Sequence, residues 1–157
     1  GGDVKVDGLK HRFYLGDSLE VLKSLQDKSV HCCEQALPID WGLRDYGVEG
    51  QIGLERTPEE YVDKLVQVFR EVRRVLRDDG TLWLNLGDSY NGSGGAGGDY
   101  NPGGLKEGQP KYPGRKVPGL KPKDLIGIPW MVAFALRADG WYLRSDIIWA
   151  KPNPMPE

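Results

Sequence analysis

Apolar residues recur along this chain with two different periods, and the changes of period mark its elements. His11 to Leu15, with Phe13, Tyr14 and Leu15 ahead of Gly16, reads as a short strand closed by a turn. Asp17 then opens a helix. Its carboxylate can cap free N–H groups, Glu20 stands three residues on, and Leu19, Leu22 and Leu25 mark one apolar face. Val30 to Cys33 follows as a second strand, at the spacing of a βαβ unit. The clearest helix runs from Pro58 to about Arg77, with Thr57 as cap and Glu60 completing a T-x-x-E capping box. Its stripe of Tyr61, Leu65, Val68, Phe69, Val72, Val75 and Leu76 must lie on something apolar. Gly80 is expected to end it, and Thr81 to Leu86 (TLWLNL) reads as a strand with Asp88 and Ser89 just past its C-terminal end. Ile128 to Ala138 predicts a buried helix, and after Gly140 the run Trp141 to Ala150 predicts a last strand. Strands alternating with helices imply an α/β fold, with a mostly parallel sheet covered by helices on both faces. Trp83, Trp130, Trp141 and Trp149 fall on these elements and are expected mostly in the core.

Composition narrows the picture. The 157 residues suit one compact domain, 1–157, and the 39% apolar content supports one core of ordinary size. The net charge of -2 excludes a uniformly basic nucleic-acid binder, so any DNA contact has to come from a local patch. Such a patch exists. Residues 91–123 are rich in Gly and Pro and without period, which predicts a flexible loop or a disordered segment. From Leu105 onward Lys106, Lys111, Arg115, Lys116, Lys121 and Lys123 stand against Glu107 alone, a balance of +5. The only cysteines, Cys32 and Cys33, are neighbours that a strand points to opposite faces, so neither a disulfide framework nor a zinc site is expected. His11 and His31 lack partners at metal-ligand spacing, and no metal is expected. With no apolar run near the ~20 residues of a membrane span and no apolar signal region in GGDVKVDGLK, the expected setting is the cytoplasm.

Whole segments of the chain carry a resemblance. LGDSLEVLKSLQDKSV, WGLRDYG, VFREVRRVLRDDGTLWLNLGDSYNGSG and IPWMVAFALRADGWYLRSDIIWAKPNPMPE follow one another as they do in the DNA amino-methyltransferases whose catalytic half precedes the cofactor half. The chain resembles that family, which acts on cytosine N4 or adenine N6, over nearly its whole length, and is most similar to the subgroup usually assigned to cytosine N4. The resemblance implies a Rossmann-like fold, S-adenosylmethionine as methyl donor and double-stranded DNA as substrate. It also implies a site. An exocyclic amine is a poor nucleophile, because its lone pair is delocalised into the base. The family's Ser-Pro-Pro-Tyr loop accepts the amine's hydrogens and stacks an aromatic ring on the base once it has left the duplex.

The chain departs from the family in that loop. Between Cys33 and Trp41 it reads Glu34-Gln35-Ala36-Leu37-Pro38-Ile39-Asp40, one residue longer than the family's span. Counted back from Trp41, Leu37 takes the acceptor's place, Pro38 keeps the first proline, Ile39 replaces the second and Asp40 replaces the aromatic. Leucine accepts no hydrogen bond. If the extra residue bulges out, Asp40 can slide into the acceptor role and Trp41 can stack. The family's glycine-rich Phe-x-Gly-x-Gly turn would lie beyond KPNPMP and is not among these residues, and the glycines from Asn91 onward open no periodic helix.

Residue by residue, the resemblance implies Leu37, Pro38, Ile39, Asp40 and Trp41 as the altered catalytic loop and Asp17 and Ser18 on the adenine side of the cofactor pocket. The residues by themselves favour Asp17 as a helix cap, since the capping geometry suffices to explain it, and the two roles can coexist. Arg44 in WGLRDYG falls beside the target base, although Arg44 and Asp45 also read as a loop ion pair. Lys111, Arg115 and Lys116 are candidate phosphate contacts. Asp88 and Ser89 read either as lining a cleft or as turn formers. The expectation is a methyltransferase-family chain without activity by itself. The alternatives are a non-catalytic DNA-binding or complementing subunit that works with a second chain, or a folded cassette with no activity. Without the two strands that the other half would insert, the first strand either pairs with Val30 to Cys33 or leaves edges that a second copy covers, which predicts a homodimer.

Overall fold

A computed structural model of the chain describes residues 2–6, 8–36, 41, 52–92 and 116–153. Within them lie β1 (Gly2–Val6), β2 (Leu9–Phe13), α1 (Ser18–Ser24), β3 (Val30–Ala36), α2 (Pro58–Val75), β4 (Leu76–Asn85) and α3 (Ile128–Ala138). The fold is α/β. β3 and β4 pair in parallel, whereas β1 and β2 form a separate antiparallel hairpin.

The N-terminal strand thus departs from expectation twice. It starts at Leu9 and ends at Phe13, and it pairs with β1 rather than with β3. Val4 alternates with polar neighbours, and the Asp7-Gly8 dipeptide is a strong hairpin signal, with Gly8 at φ 78. A local turn closes at less entropic cost than a long-range pairing.

α2 forms as its caps predict. Thr57 Oγ1 accepts from the Glu60 N–H at 3.2 Å, and the Glu60 carboxylate reaches back to accept from the Arg56 N–H at 3.2 Å. Its inner stripe of Tyr61, Leu65, Phe69 and Val72 packs with Trp41, Ile128, Val132 and Leu136 into the core. The helix stops earlier than expected, because Leu76 already belongs to β4. Gly80 instead sits in an irregularity of the ladder, which runs from Val30 opposite Leu76 to Cys32 opposite Thr81. A Cβ at Gly80 would lie 2.9 Å from the Arg77 carbonyl oxygen and 3.1 Å from that of His31. Both are backbone atoms and cannot swing away. Gly80→Val is therefore expected to cost about 1–3 kcal/mol, read as a lower urea midpoint with unchanged slope.

Arg74 ties α1 to α2 by donating to the Leu25 carbonyl at 3.0 Å and the Leu22 carbonyl at 2.9 Å at the end of α1, the latter also accepting from the Leu25 N–H at 3.0 Å. α3 is tied to α2 by a two-pronged contact of Arg70 with Asp139 at 2.8 and 3.0 Å, and by Arg73 Nη1 with the Asp139 carbonyl oxygen. The Arg70 guanidinium holds the Asp139 carboxyl below its ordinary value. A carboxyl depressed in the folded state stabilises it above the unfolded value of about 3.9 and loses that contribution as pH falls through the lowered value. Asp139→Asn is accordingly expected to be less stable than the parent at pH 7, with the difference closing in strong acid. Denaturant melts across pH check this.

Trp141 to Ala150, expected as a strand, pairs with no strand among the described residues, and Trp149 in it is 80% exposed. Apolar β-formers need a neighbour to take their hydrogen bonds before they become a strand. Trp83 and Trp130, expected inside, are also exposed. Ordinary monomers seldom present so much aromatic surface.

Candidate functional site

β3 and β4 run in the same direction and share a last register pair, Ala36 opposite Asn85. The chain therefore leaves both strands at one edge of the parallel pair, which is where α/β sheets place ligands. From β3 it continues into Leu37, Pro38, Ile39 and Asp40, which lie outside the described residues, as do Arg44, Lys111 and Arg115. From β4 it continues into Asp88, Ser89 and Asn91.

Asp88 is occupied structurally. α3 begins at Gly127, a left-handed residue with no side chain to cap the helix. The Asp88 carboxylate does so from the end of β4, accepting from the Gly127 N–H at 2.9 and 3.0 Å and the Ile128 N–H at 3.1 Å. Its charge also suits the positive end of the helix. Ser89 is 8% exposed, and its hydroxyl is buried without a hydrogen-bond partner. The cleft-or-turn alternatives thus resolve into a cap at Asp88 and a buried hydroxyl beside it.

Trp41 closes the loop that follows β3. It is 3% exposed, and its indole N–H donates to the Glu55 carbonyl at 2.9 Å. The Glu55 carboxylate is itself buried, accepting from the Gly53 N–H at 2.8 Å and pairing with Lys64 at 3.0 Å. In this arrangement Trp41 packs in the core, and stacking on a base would require it to leave.

Asp17 caps α1, accepting from Leu19 N–H at 3.0 Å and Glu20 N–H at 3.1 Å. With Ser18 it stands exposed after β2, which lies outside the β3–β4 sheet, so strand pairing does not bring these two beside Trp41. One engaged carboxylate and one hydroxyl at the start of a seven-residue helix do not make a seat for S-adenosylmethionine, and the described residues do not fit that cofactor by themselves. Lys116 is exposed. Of the cysteines, Cys32 is exposed and Cys33 partly buried, and burial pushes the Cys33 thiol up. Glu55 and Asn91 escaped sequence reading because an acidic residue and an asparagine in loops look like ordinary solvated positions.

Among the described residues the fold supplies a parallel strand pair with the Asp88-capped α3 beside it, an α/β arrangement, and sequence comparison supplies the class. The DNA methylase family matches residues 19–157, and the chain belongs to it. Among curated proteins it is similar to the Type II methyltransferase M.XycI of Xanthomonas campestris pv. cyanopsidis, 56% identical over 146 residues covering 90% of this chain and 47% of the relative. M.Cfr9I of Citrobacter freundii is 54% identical over 90% of this chain and 47% of its own length. M.SmaI of Serratia marcescens is 51% identical over 93% of this chain and 49% of its own. The chain spans about half the length of these relatives. No solved structure matches.

Proposed function

We propose that the chain is the catalytic half of a site-specific DNA amino-methyltransferase, of the cytosine-N4 type by its segments, with a Rossmann-like sheet completed by strands outside these residues. The register of Ala36 with Asn85 carries the reading, because it starts the segment corresponding to the amine-activating loop beside Asp88 and the N-terminus of α3. S-adenosylmethionine is the donor that the family supplies to such a reaction, and its seat belongs to the other half. Among the residues of this chain, Leu37 supplies no acceptor and Ile39 no second proline, so amine activation is weak. The chain alone is inactive.

Mixing the purified chain with a polypeptide corresponding to the rest of M.SmaI, and measuring methyl incorporation into duplex DNA, tests this. Incorporation only on mixing is expected. Robust transfer by the single chain would sink the proposal.

A second reading, a non-catalytic DNA-binding or complementing subunit, is favoured by the substitutions at Leu37, Ile39 and Asp40. As a DNA-binding subunit it predicts DNA binding without incorporation on mixing, and as a complementing subunit it predicts incorporation only when the second chain carries the cofactor and target-recognition segments. The exposed Trp83, Trp130 and Trp149 and the edges of the β3–β4 pair, which carry no further strand among the described residues, support self-association. Light scattering after gel filtration is expected to give a dimer, and a strict monomer at high concentration counts against it. No described helix is long and apolar enough to cross a membrane, and a cytoplasmic setting is part of the same proposal.

A further inference from the structure

The basic stretch is expected to be a flexible loop or a disordered segment, and the part of it that is described, from Lys116 onward, carries a network of hydrogen bonds to Asn91. Asn91, 4% exposed, reaches across to it with every polar group it has. Its side-chain oxygen accepts from the Val117 N–H at 2.7 Å, and its amide nitrogen donates to the Leu120 carbonyl at 2.9 Å and the Lys121 carbonyl at 3.2 Å. Its backbone N–H donates to the Asp124 carbonyl at 2.7 Å, and its own carbonyl accepts from the Lys123 N–H at 2.8 Å. The ribbon from Lys116 to Asp124 is folded on itself as well. Leu120 N–H donates to the Val117 carbonyl at 3.3 Å and Asp124 N–H to the Lys121 carbonyl at 3.2 Å, while the Asp124 carboxylate accepts from the Lys121 N–H at 3.1 Å.

Three cations ride on this frame. Lys116, Lys121 and Lys123 are all exposed, and none pairs with a carboxylate among the described residues. Asp124 is the one acidic side chain within the ribbon, and its carboxylate is turned to the backbone. Lys123 also holds φ at 69, a left-handed conformation that costs a non-glycine residue about 1–3 kcal/mol and persists only where neighbours over-determine it. Asparagine or glycine would fit that backbone better, and the lysine places a charge there.

We propose that the ribbon from Lys116 to Asp124 is a preorganised contact for the phosphate backbone of duplex DNA, with Lys116, Lys121 and Lys123 as the contacting groups and Asn91 as the positioning residue that fixes them. The inference rests on the reading of the chain as a DNA-acting protein and adds Lys121, Lys123 and Asn91 to its surface. A fixed frame matters because ordering a lysine-bearing loop on binding costs entropy that a locked ribbon has already lost. The contact reads charge and spacing, not base sequence.

The test is fluorescence anisotropy of a labelled duplex of arbitrary sequence, titrated with the chain at several salt concentrations. Each lysine that meets a phosphate contributes about 0.9 to the slope of log affinity against log salt, so three contribute a ~40-fold loss between about 50 and 200 mM salt. The variant carrying Lys116→Ala, Lys121→Ala and Lys123→Asn is expected to lose that share of the slope while its melting temperature does not fall. Lys123→Asn keeps the left-handed backbone and removes the charge. Asn91→Ala is expected to flatten the slope in the same direction with all three charges present, a change that loss of stability alone does not produce. If the parent binds duplex and the triple variant binds with the same slope, the ribbon proposal is overturned and the methyltransferase reading stands. If the parent does not bind duplex even at low salt, the ribbon proposal again falls, and methyl incorporation on mixing judges the broader reading separately.

Discussion

Methyl transfer is expected to rise about 10²–10³-fold when Leu37→Ser, Ile39→Pro and Asp40→Tyr are made together in this chain fused to the remaining half of M.SmaI. The magnitude follows from one preorganised polar contact to the developing charge on the amine. Leucine offers no lone pair, and a hydroxyl in its place together with a carbonyl fixed by the second proline supplies two acceptors. The extra residue between Cys33 and Trp41 is the complication, so the substitutions are best compared with and without deletion of Gln35. Initial rates of methyl incorporation into duplex DNA decide the matter. Equal rates in the parent and rewritten fusions would mean that the acceptor comes from elsewhere.

Phe69→Ala is expected to leave most of the chain unfolded. Phe69 is 2% exposed on the inner face of α2, within the cluster that includes Trp41, Leu65, Ile128 and Val132. Removing a buried phenyl ring costs about 3–5 kcal/mol, against a total of roughly 5–15 kcal/mol for a domain. This core is small, because of the aromatic residues of the last segment Trp141 packs against it while Tyr142 and Trp149 stay exposed. Loss of the far-UV helical signal and of the cooperative urea transition is the expected observation. A variant melting within about 1 kcal/mol of the parent would show that α2 is held by something other than its inner stripe.

The helices were legible because their causes are local. Thr57, Pro58 and Glu60 announce α2, and Asp17 announces α1. α3 matches its expected span from Ile128 to Ala138, although its cap comes from Asp88, far away in sequence. The strands were less legible, because a strand is a relation between two segments. Val30 to Cys33 and Thr81 to Leu86 were found, but the irregularity at Gly80 and the continuation of β3 to Ala36 depend on the partner. Trp141 to Ala150 has a strand's composition and no described neighbour. The altered loop from Leu37 to Asp40 is proposed from the resemblance alone, since no periodicity marks it and it lies outside the described residues. Asn91 was hidden for the opposite reason, since its contacts span a stretch that reads only as glycine, proline and charge.

The absence of any spacer between Val75 and Leu76 has a mechanical outcome. Helix and strand form one continuous lever, and α3 is pinned to it at both ends, by Asp88 past the strand and by Arg70 on the helix. A closed truss of this sort cannot flex at one joint without loading the other two. Tension applied at the Asn91 stitch, which follows the same strand, is expected to load this truss, whereas the hairpin formed by β1 and β2 shares no strand pairing with it among the described residues and is expected to yield first.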